Sequence, residues 1–271
     1  MFASLGKDGM TDRMKIDRER VKKAFAEYTR QYDSEDEKIK LKIVHTYKVA
    51  DLSERIAVSL GLPEEDVDLA WLIGMLHDVG RFEQVRRFNT FEDAKSVDHA
   101  QMGIHVLWEE KRIRDYISGF DEDELIRLAI AKHNVYRIPE DLTARQAMFC
   151  NIIRDADKVD IFRVNTEVAL EDIYNVSSEE LYSAVVTERV MEDFYQHHAV
   201  LRSHKASPVD HVVGHISLVF ELVYPISLRI ALEQGYVDRL MHFDSRNPVT
   251  RQRFQEIRQE MKRYLKEVCG A

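Results

Sequence analysis

The sequence predicts an all-α protein. Apolar residues recur at intervals of three and four along most of the 271 residues, whereas the alternating pattern of half-buried strands is almost absent. Because 45% of the residues are hydrophobic, the chain can bury a sizeable core. We expect residues 13–165 to form a helical bundle and residues 166–271 to form a C-terminal helical extension packed on it, within the same structural unit.

The helix boundaries are predicted from caps, glycines and prolines. Residues 1–12 have no periodic pattern, and we expect them to be loose. Gly61 ends one predicted helix, and Pro63 suits the first turn of the next. Val79–Lys95 is polar and irregular, and is predicted to be a loop beside the functional site. Helices are predicted over Met14–Tyr32, from caps at Asp33 and Ser34 to Leu60, from Pro63 to His77, and over Val97–Glu109, Glu122–Asn134, Thr143–Phe162, Ser178–His197, Val209–Gln234 and Val249–Val268.

Composition excludes several classes of protein. A net charge of -9 disfavours a general nucleic-acid-binding or anionic-membrane surface, because those partners select for excess Lys and Arg. The longest apolar stretch, 216–232, is interrupted by Glu221, Pro225 and Arg229, so we expect no membrane span. Two cysteines are too few for a disulfide framework, and the chain does not open with a signal-peptide pattern. We therefore expect a cytoplasmic protein.

Histidines and aspartates on the inward faces of different predicted helices are the main functional signal. His45 shares an apolar stripe with Val49 and Leu52, and His133 follows Ile126 and Ile130 on another. Such groups are costly to bury unless a positive ion lies between them. The sequence thus predicts one or two metal ions bound by six residues: His45, His77, Asp78, His99, His133 and Asp157. His105 is about 240° around its helix from His99 and is predicted to be peripheral.

The order and spacing of these residues resemble the HD-domain superfamily. Successive motif positions are 32, 22, 34 and 24 residues apart, about one helical hairpin each time. The resemblance covers residues 35–165. It is carried by the phrases His77-Asp78-Val79-Gly80-Arg81, Asp98-His99 and Arg154-Asp155-Ala156-Asp157-Lys158. It implies an all-helical fold with a first metal held by His45, His77, Asp78 and Asp157, and a second held by Asp78 as a bridge with His99 and His133.

Two metal ions in such a site suit hydrolysis of a phosphate ester. They lower the pKa of bound water, and a bridging hydroxide can then attack phosphorus. We expect a small phosphorylated substrate such as a nucleotide, with Asp78 as the catalytic bridge. Arg81 and Lys158 are candidates to bind its phosphate, although either could instead form a surface salt bridge. The metal is open among iron, manganese, nickel, cobalt and zinc, with magnesium as an option for a second site.

Other functions stay open at this point. A cyclic-di-nucleotide phosphodiesterase is disfavoured, because the Gly-Tyr-Pro signature of that subgroup is absent. The ligand set also resembles the mixed-valence di-iron oxygenases of the HD fold, which act on small organic or phosphonate substrates. A non-catalytic binding module is the weakest alternative, because no ligand position is degenerate. His211 and His215, four residues apart, suit either an active-site role or packing, and a homodimer is equally open.

Overall fold

The computed structural model describes residues 15–174 and 176–270. All regular elements within these ranges are helical, which confirms the all-α prediction. The loose segment predicted at 1–12 lies outside the described residues. The helices are α1 Arg18–Thr29, α2 Glu37–Ser59, α3 Glu64–Leu76, α4 Val79–Phe88, α5 His99–Ile104, α6 Ile113–Tyr116, α7 Asp123–Lys132, α8 Ala144–Glu167, α9 Leu170–Tyr174, α10 Ser178–Ser183, α11 Glu188–Tyr195, α12 Pro208–Ile216, α13 Pro225–Glu233, α14 Tyr236–Met241 and α15 Pro248–Cys269.

The described residues form two compact units, one ending at Ile153 and the other beginning at Arg154, within α8. In the first unit, α2 packs along α3, α4 packs against α5, and α5 packs against α7. In the second unit, α12 and α13 both contact α14, and α11 lies against α12 and α15. The division of the chain at residue 165 stays a prediction.

Two glycines allow the helices of the first unit to approach closely. A Cβ atom on Gly74 of α3 would lie 2.6 Å from the Cα of Ala50 on α2. A Cβ atom on Gly80 of α4 would lie 2.2 Å from the carbonyl oxygen of His99 on α5. Glycine alone permits such backbone contact. These contacts bring the helices that carry or border His45, His77, Asp78 and His99 to one place.

A buried tyrosine pair fixes α1 on α4. The hydroxyl of Tyr32 donates to Glu83 Oε1 at 2.7 Å and lies 2.8 Å from the hydroxyl of Tyr28. Tyr28 in turn lies 2.9 Å from the carbonyl oxygen of Val79. Because Val79 directly follows Asp78, this network holds the backbone next to a predicted metal ligand.

The predicted loop at Val79–Lys95 is wrong for its first ten residues, which form α4. Val79, Phe82 and Val85 recur every three residues and are buried, as in an amphipathic helix. Gly80 and the basic residues obscured this pattern in the sequence. The helix ends at Phe88, where Asn89 adopts a left-handed conformation with φ of 51°. Only the remainder, beyond Asn89, is irregular apart from the short 3-10 turn Asp93–Lys95.

Two long helices predicted in the second unit are each broken. The prediction Ser178–His197 is wrong at 184–187, because Thr187 donates its backbone N–H to Asp210 at 2.8 Å instead of continuing the helix. The prediction Val209–Gln234 is wrong at 217–224, where a 3-10 turn and an extended segment precede α13. Buried Asp155 accepts the N–H groups of Val223 and Tyr224 there, and Pro225 begins the new helix.

Smaller differences concern helix ends. The cap of α2 is Asp36, which accepts the N–H of Lys38 at 2.8 Å, rather than Asp33 or Ser34. The helix predicted over Val97–Glu109 begins at His99 and ends in a π-helical turn, His105–Glu109. Across the described ranges, we find no helix with the length and apolar character needed to cross a membrane.

Candidate metal centre

Asp78 lies at the middle of the candidate site, between the end of α3 and the start of α4, and is buried. Its Oδ2 atom is 3.6 Å from Nε2 of His45 and 3.5 Å from Nε2 of His77. Its Oδ1 atom is 3.5 Å from Nε2 of His99 and 3.7 Å from Nε2 of His133. Each carboxylate oxygen thus faces its own pair of imidazoles.

Backbone carbonyls select the tautomers of His77 and His133. Nδ1 of His77 is 2.7 Å from the carbonyl oxygen of Gly74, and Nδ1 of His133 is 2.7 Å from that of Ile130. Because a carbonyl oxygen only accepts hydrogen bonds, each Nδ1 carries the proton. Both rings therefore present an Nε2 lone pair towards Asp78, which is the form of histidine that binds a metal.

His99 is oriented in the same way by a carboxylate. Its Nδ1 atom donates to Asp93 Oδ2 at 2.7 Å. Burial lowers the pKa of the His99 imidazole to about 4, so the ring is neutral near pH 7. Burial opposes the charge of Asp93, but its bonds to His99 and Arg81 hold the pKa of that carboxyl below its usual range. A carboxylate behind a histidine is a common support for a metal ligand.

The donor set therefore fits a cation. With Nδ1 protonated in both rings, the Nε2 atoms of His99 and His133 direct lone pairs at each other across 3.0 Å. A positive ion would relieve this repulsion. Ligand atoms of Asp78, His99 and His133 all lie within 4.8 Å of one another, and Oδ1 of Asp78 has no hydrogen-bond partner among the described residues. Imidazole nitrogen and carboxylate oxygen together favour transition metals.

Two cationic side chains also reach Asp78. Burial disfavours its ionisation, but the positive charges of Lys42 and Arg81 hold the pKa of the carboxyl well below its usual range. Lys42 Nζ lies 2.6 Å from Oδ2, and Arg81 Nε lies 3.6 Å from Oδ1. The sequence reasoning missed Lys42, although it precedes His45 by three residues on α2 and so lies on nearly the same face.

The guanidinium group of Arg81 is fixed by hydrogen bonds to three protein acceptors. Its Nη1 atom lies 2.7 Å from Gln84 Oε1, 2.7 Å from the carbonyl oxygen of Phe91 and 2.9 Å from Asp93 Oδ1. These bonds link α4 to the segment before α5. Contact between Arg81 and a substrate stays a prediction.

Asp157 and Lys158 lie on α8, in the second unit. Lys158 is buried, and its Nζ atom is 3.4 Å from the carbonyl oxygen of Arg154. Burial lowers the pKa of Lys158 to about 8. The roles predicted for these two residues, metal ligand and phosphate contact, stay predictions.

Sequence-based predictions also concern three further histidines. His105 is about half exposed and lies 3.6 Å from Glu110, in agreement with its predicted peripheral position. His211 and His215 both stack on Tyr174, whose hydroxyl lies 2.8 Å from Nδ1 of His215. These contacts are consistent with a packing role for the two histidines within the second unit.

Comparison with known proteins identifies one domain in the chain. The sequence profile of the HD domain matches residues 43–161. No curated protein and no solved structure matches the chain. The matched range contains all six predicted ligands: His45, His77, Asp78, His99, His133 and Asp157. Residues 43–161 are therefore an HD domain with buried His and Asp groups consistent with a metal site.

Proposed function

We propose that the protein is a metal-dependent phosphohydrolase that cleaves a phosphate ester of a small molecule, such as a nucleotide or another phosphorylated metabolite. One observation carries this proposal: the two oxygens of Asp78 face separate pairs of imidazoles at 3.5–3.7 Å. A carboxylate in that position suits the bridge between two cations. The match of residues 43–161 to the HD domain supports the same chemistry.

The proposed ligands divide between two ions. His45, His77 and Asp78, together with Asp157, would hold the first; Asp78, His99 and His133 would hold the second. Iron, manganese, nickel, cobalt and zinc all suit such imidazole-rich sites, and magnesium is an option for the second. When bound, a pair of divalent ions supplies Lewis acidity to a phosphoryl oxygen and lowers the pKa of water.

The side chains themselves have distinct tasks in this proposal. Asp78 would hold both ions, and His99 keeps its Nε2 lone pair towards Asp78 because Asp93 accepts a hydrogen bond from Nδ1. Arg81 and Lys158 are proposed to bind phosphate oxygens. The positive charge near Asp78 favours an anionic substrate in a chain whose net charge is -9.

Metal analysis combined with phosphate release from a panel of nucleotides and phosphate monoesters tests this function. We expect the purified protein to contain a transition metal and to release phosphate from at least one ester. Asp78→Ala should lose bound metal and turnover together, because it removes the bridge. His105→Ala is the matched control and should retain both, since His105 is exposed. An Asp78→Ala protein with full metal content and rate would contradict the assignment.

The second candidate is an oxygenase with two iron ions. The same four imidazoles and Asp78 favour iron as well as they favour manganese. This reaction consumes oxygen with an organic or phosphonate substrate. Iron-loaded protein that consumes oxygen, combined with no phosphate release from any ester in the panel, would select it over the hydrolase.

A further inference from the structure

Lys42 has more hydrogen-bonding capacity than the protein uses. Its side chain is 15% exposed, and its Nζ atom donates to Oδ2 of Asp78 at 2.6 Å. An ammonium group has three N–H donors. Among the described residues, Asp78 is the sole hydrogen-bond acceptor of Lys42, so two donors are left for another acceptor.

The surroundings of Lys42 place those donors close to the proposed metal ligands. The ring of Phe91 lies 5.4 Å from Nζ and covers part of the lysine side chain. Lys42 stands one helical turn before His45 on α2. The tetrahedral geometry of an ammonium, with hydrogen bonds of about 2.8 Å, places a second acceptor roughly 4.5 Å from Oδ2 of Asp78. An acceptor at that distance lies beside the proposed ligands.

Arg81 differs from Lys42 in this respect. Three protein acceptors surround its Nη1 atom, which fixes the guanidinium between α4 and Asp93. Lys42 has a flexible stem and a compact charge, so it can keep one bond to Asp78 and direct the others to a ligand. If Lys42 served only to neutralise buried Asp78, two of the three N–H donors of Lys42 would stay unused.

We propose that Lys42 binds a phosphoryl oxygen of the substrate, so that it is a substrate-binding residue of this site. This inference rests on the proposed phosphohydrolase function. The acceptor is an anionic oxygen, because a charged oxygen matches the ammonium in both charge and hydrogen-bond strength. Lys42 thus joins the phosphate group to the same carboxylate that is proposed to hold the metal ions.

The test uses inorganic phosphate as the probe and manganese-loaded full-length protein. Lys42→Met keeps the length of the side chain and removes its charge. Loss of a charge-assisted hydrogen bond should weaken phosphate binding by about 10- to 100-fold in isothermal titration calorimetry. The manganese content per chain, measured by plasma mass spectrometry, should not change.

Lys40→Met is the matched control. Lys40 lies on the same helix and forms ion pairs with Glu35 and Glu37 on the surface. This variant should bind phosphate like the wild type. If Lys42→Met fails to fold, Lys42→Gln replaces it, because the amide can still donate to Asp78 but has no charge; the same loss of phosphate affinity is expected.

Three results would overturn the role of Lys42: unchanged phosphate binding in Lys42→Met or Lys42→Gln, loss of manganese along with phosphate, or an equal loss in Lys40→Met. The test also separates this role from the proposed function. Wild-type protein that hydrolyses an ester while Lys42→Met keeps the same kcat/KM refutes the lysine contact alone. Lys42-dependent phosphate binding without hydrolysis of any ester supports the contact and refutes the hydrolase.

Discussion

The contact between α4 and α5 yields the sharpest prediction, through Gly80. A Cβ atom at this position would lie 2.2 Å from the carbonyl oxygen of His99 and 2.4 Å from the backbone nitrogen of Gly103. Ordinary carbon contacts begin at about 3.5 Å, so Gly80→Ala forces the two helices apart by roughly 1 Å. Both neighbours are backbone atoms, which cannot rotate away.

This displacement would act on the proposed metal centre as well as on stability. Asp78 directly precedes α4 and His99 begins α5, so the substitution separates two proposed ligands. Metal sites tolerate changes in ligand distance of only about 0.2 Å. We expect Gly80→Ala to lower the free energy of unfolding by about 1–3 kcal/mol, and to lower the metal content of the purified protein.

Gly103→Ala is the matched control from the other side of the same contact. Its Cβ atom would meet the nitrogen of Gly80 at 3.5 Å and Val79 at 3.6 Å, which are ordinary contacts. Alanine also favours a helix over glycine by about 1 kcal/mol. We expect this variant to match or exceed the wild type in urea unfolding and to keep its metal content. Equal stability and metal content in the two variants would refute the close-contact reasoning.

Three further predictions concern the surroundings of the site. Asp93→Asn should lower metal affinity about 10- to 100-fold while the protein stays folded, because it weakens the support of His99; unchanged affinity in a metal titration would contradict this role. Because burial lowers the pKa of His99 from 6.5 to about 4, the unfolded chain binds one more proton between these values. The free energy of unfolding of chelator-treated protein should therefore fall as the pH drops from 6.5 to 4, and His99 should contribute at most about 3 kcal/mol to this fall. His99→Gln lacks this contribution, so its free energy of unfolding should fall less over the same range. Equal falls in the variant and the wild type would contradict the pKa shift of His99. Tyr32→Phe removes a hydrogen bond to buried Glu83 and should lower the free energy of unfolding by about 1–2 kcal/mol in urea, with metal content retained; a loss of metal would mean that the network acts on the site directly.

The sequence was sufficient for the fold class and for the gathering of the histidines around Asp78. Helical periodicity and the order of the ligands can be read directly from the sequence. The apolar stripes predicted to face inward with His45 and His133 are buried in the structure. The loop predicted over α4 shows the limit. Gly80 reads as a helix breaker unless the backbone of α5 is known to lie against it.

The supporting residues of the site could not be predicted either. Asp93 comes from a short 3-10 turn, and its contact with His99 depends on how that segment folds back. Lys42 reads as one of several lysines near the start of α2, and only the position of Asp78 distinguishes it from Lys40. Such tertiary contacts leave no periodic mark in the sequence.

The ring nitrogens that point away from Asp78 are anchored in two different ways, and this matters for how the site can change. His77 and His133 are held by carbonyl groups of their own helices, at Gly74 and Ile130, which no substitution can delete. His99 instead depends on the side chain of Asp93. A substitution of Asp93 can therefore change the orientation of one proposed metal ligand, while the rings of His77 and His133 keep their orientation as long as their helices persist.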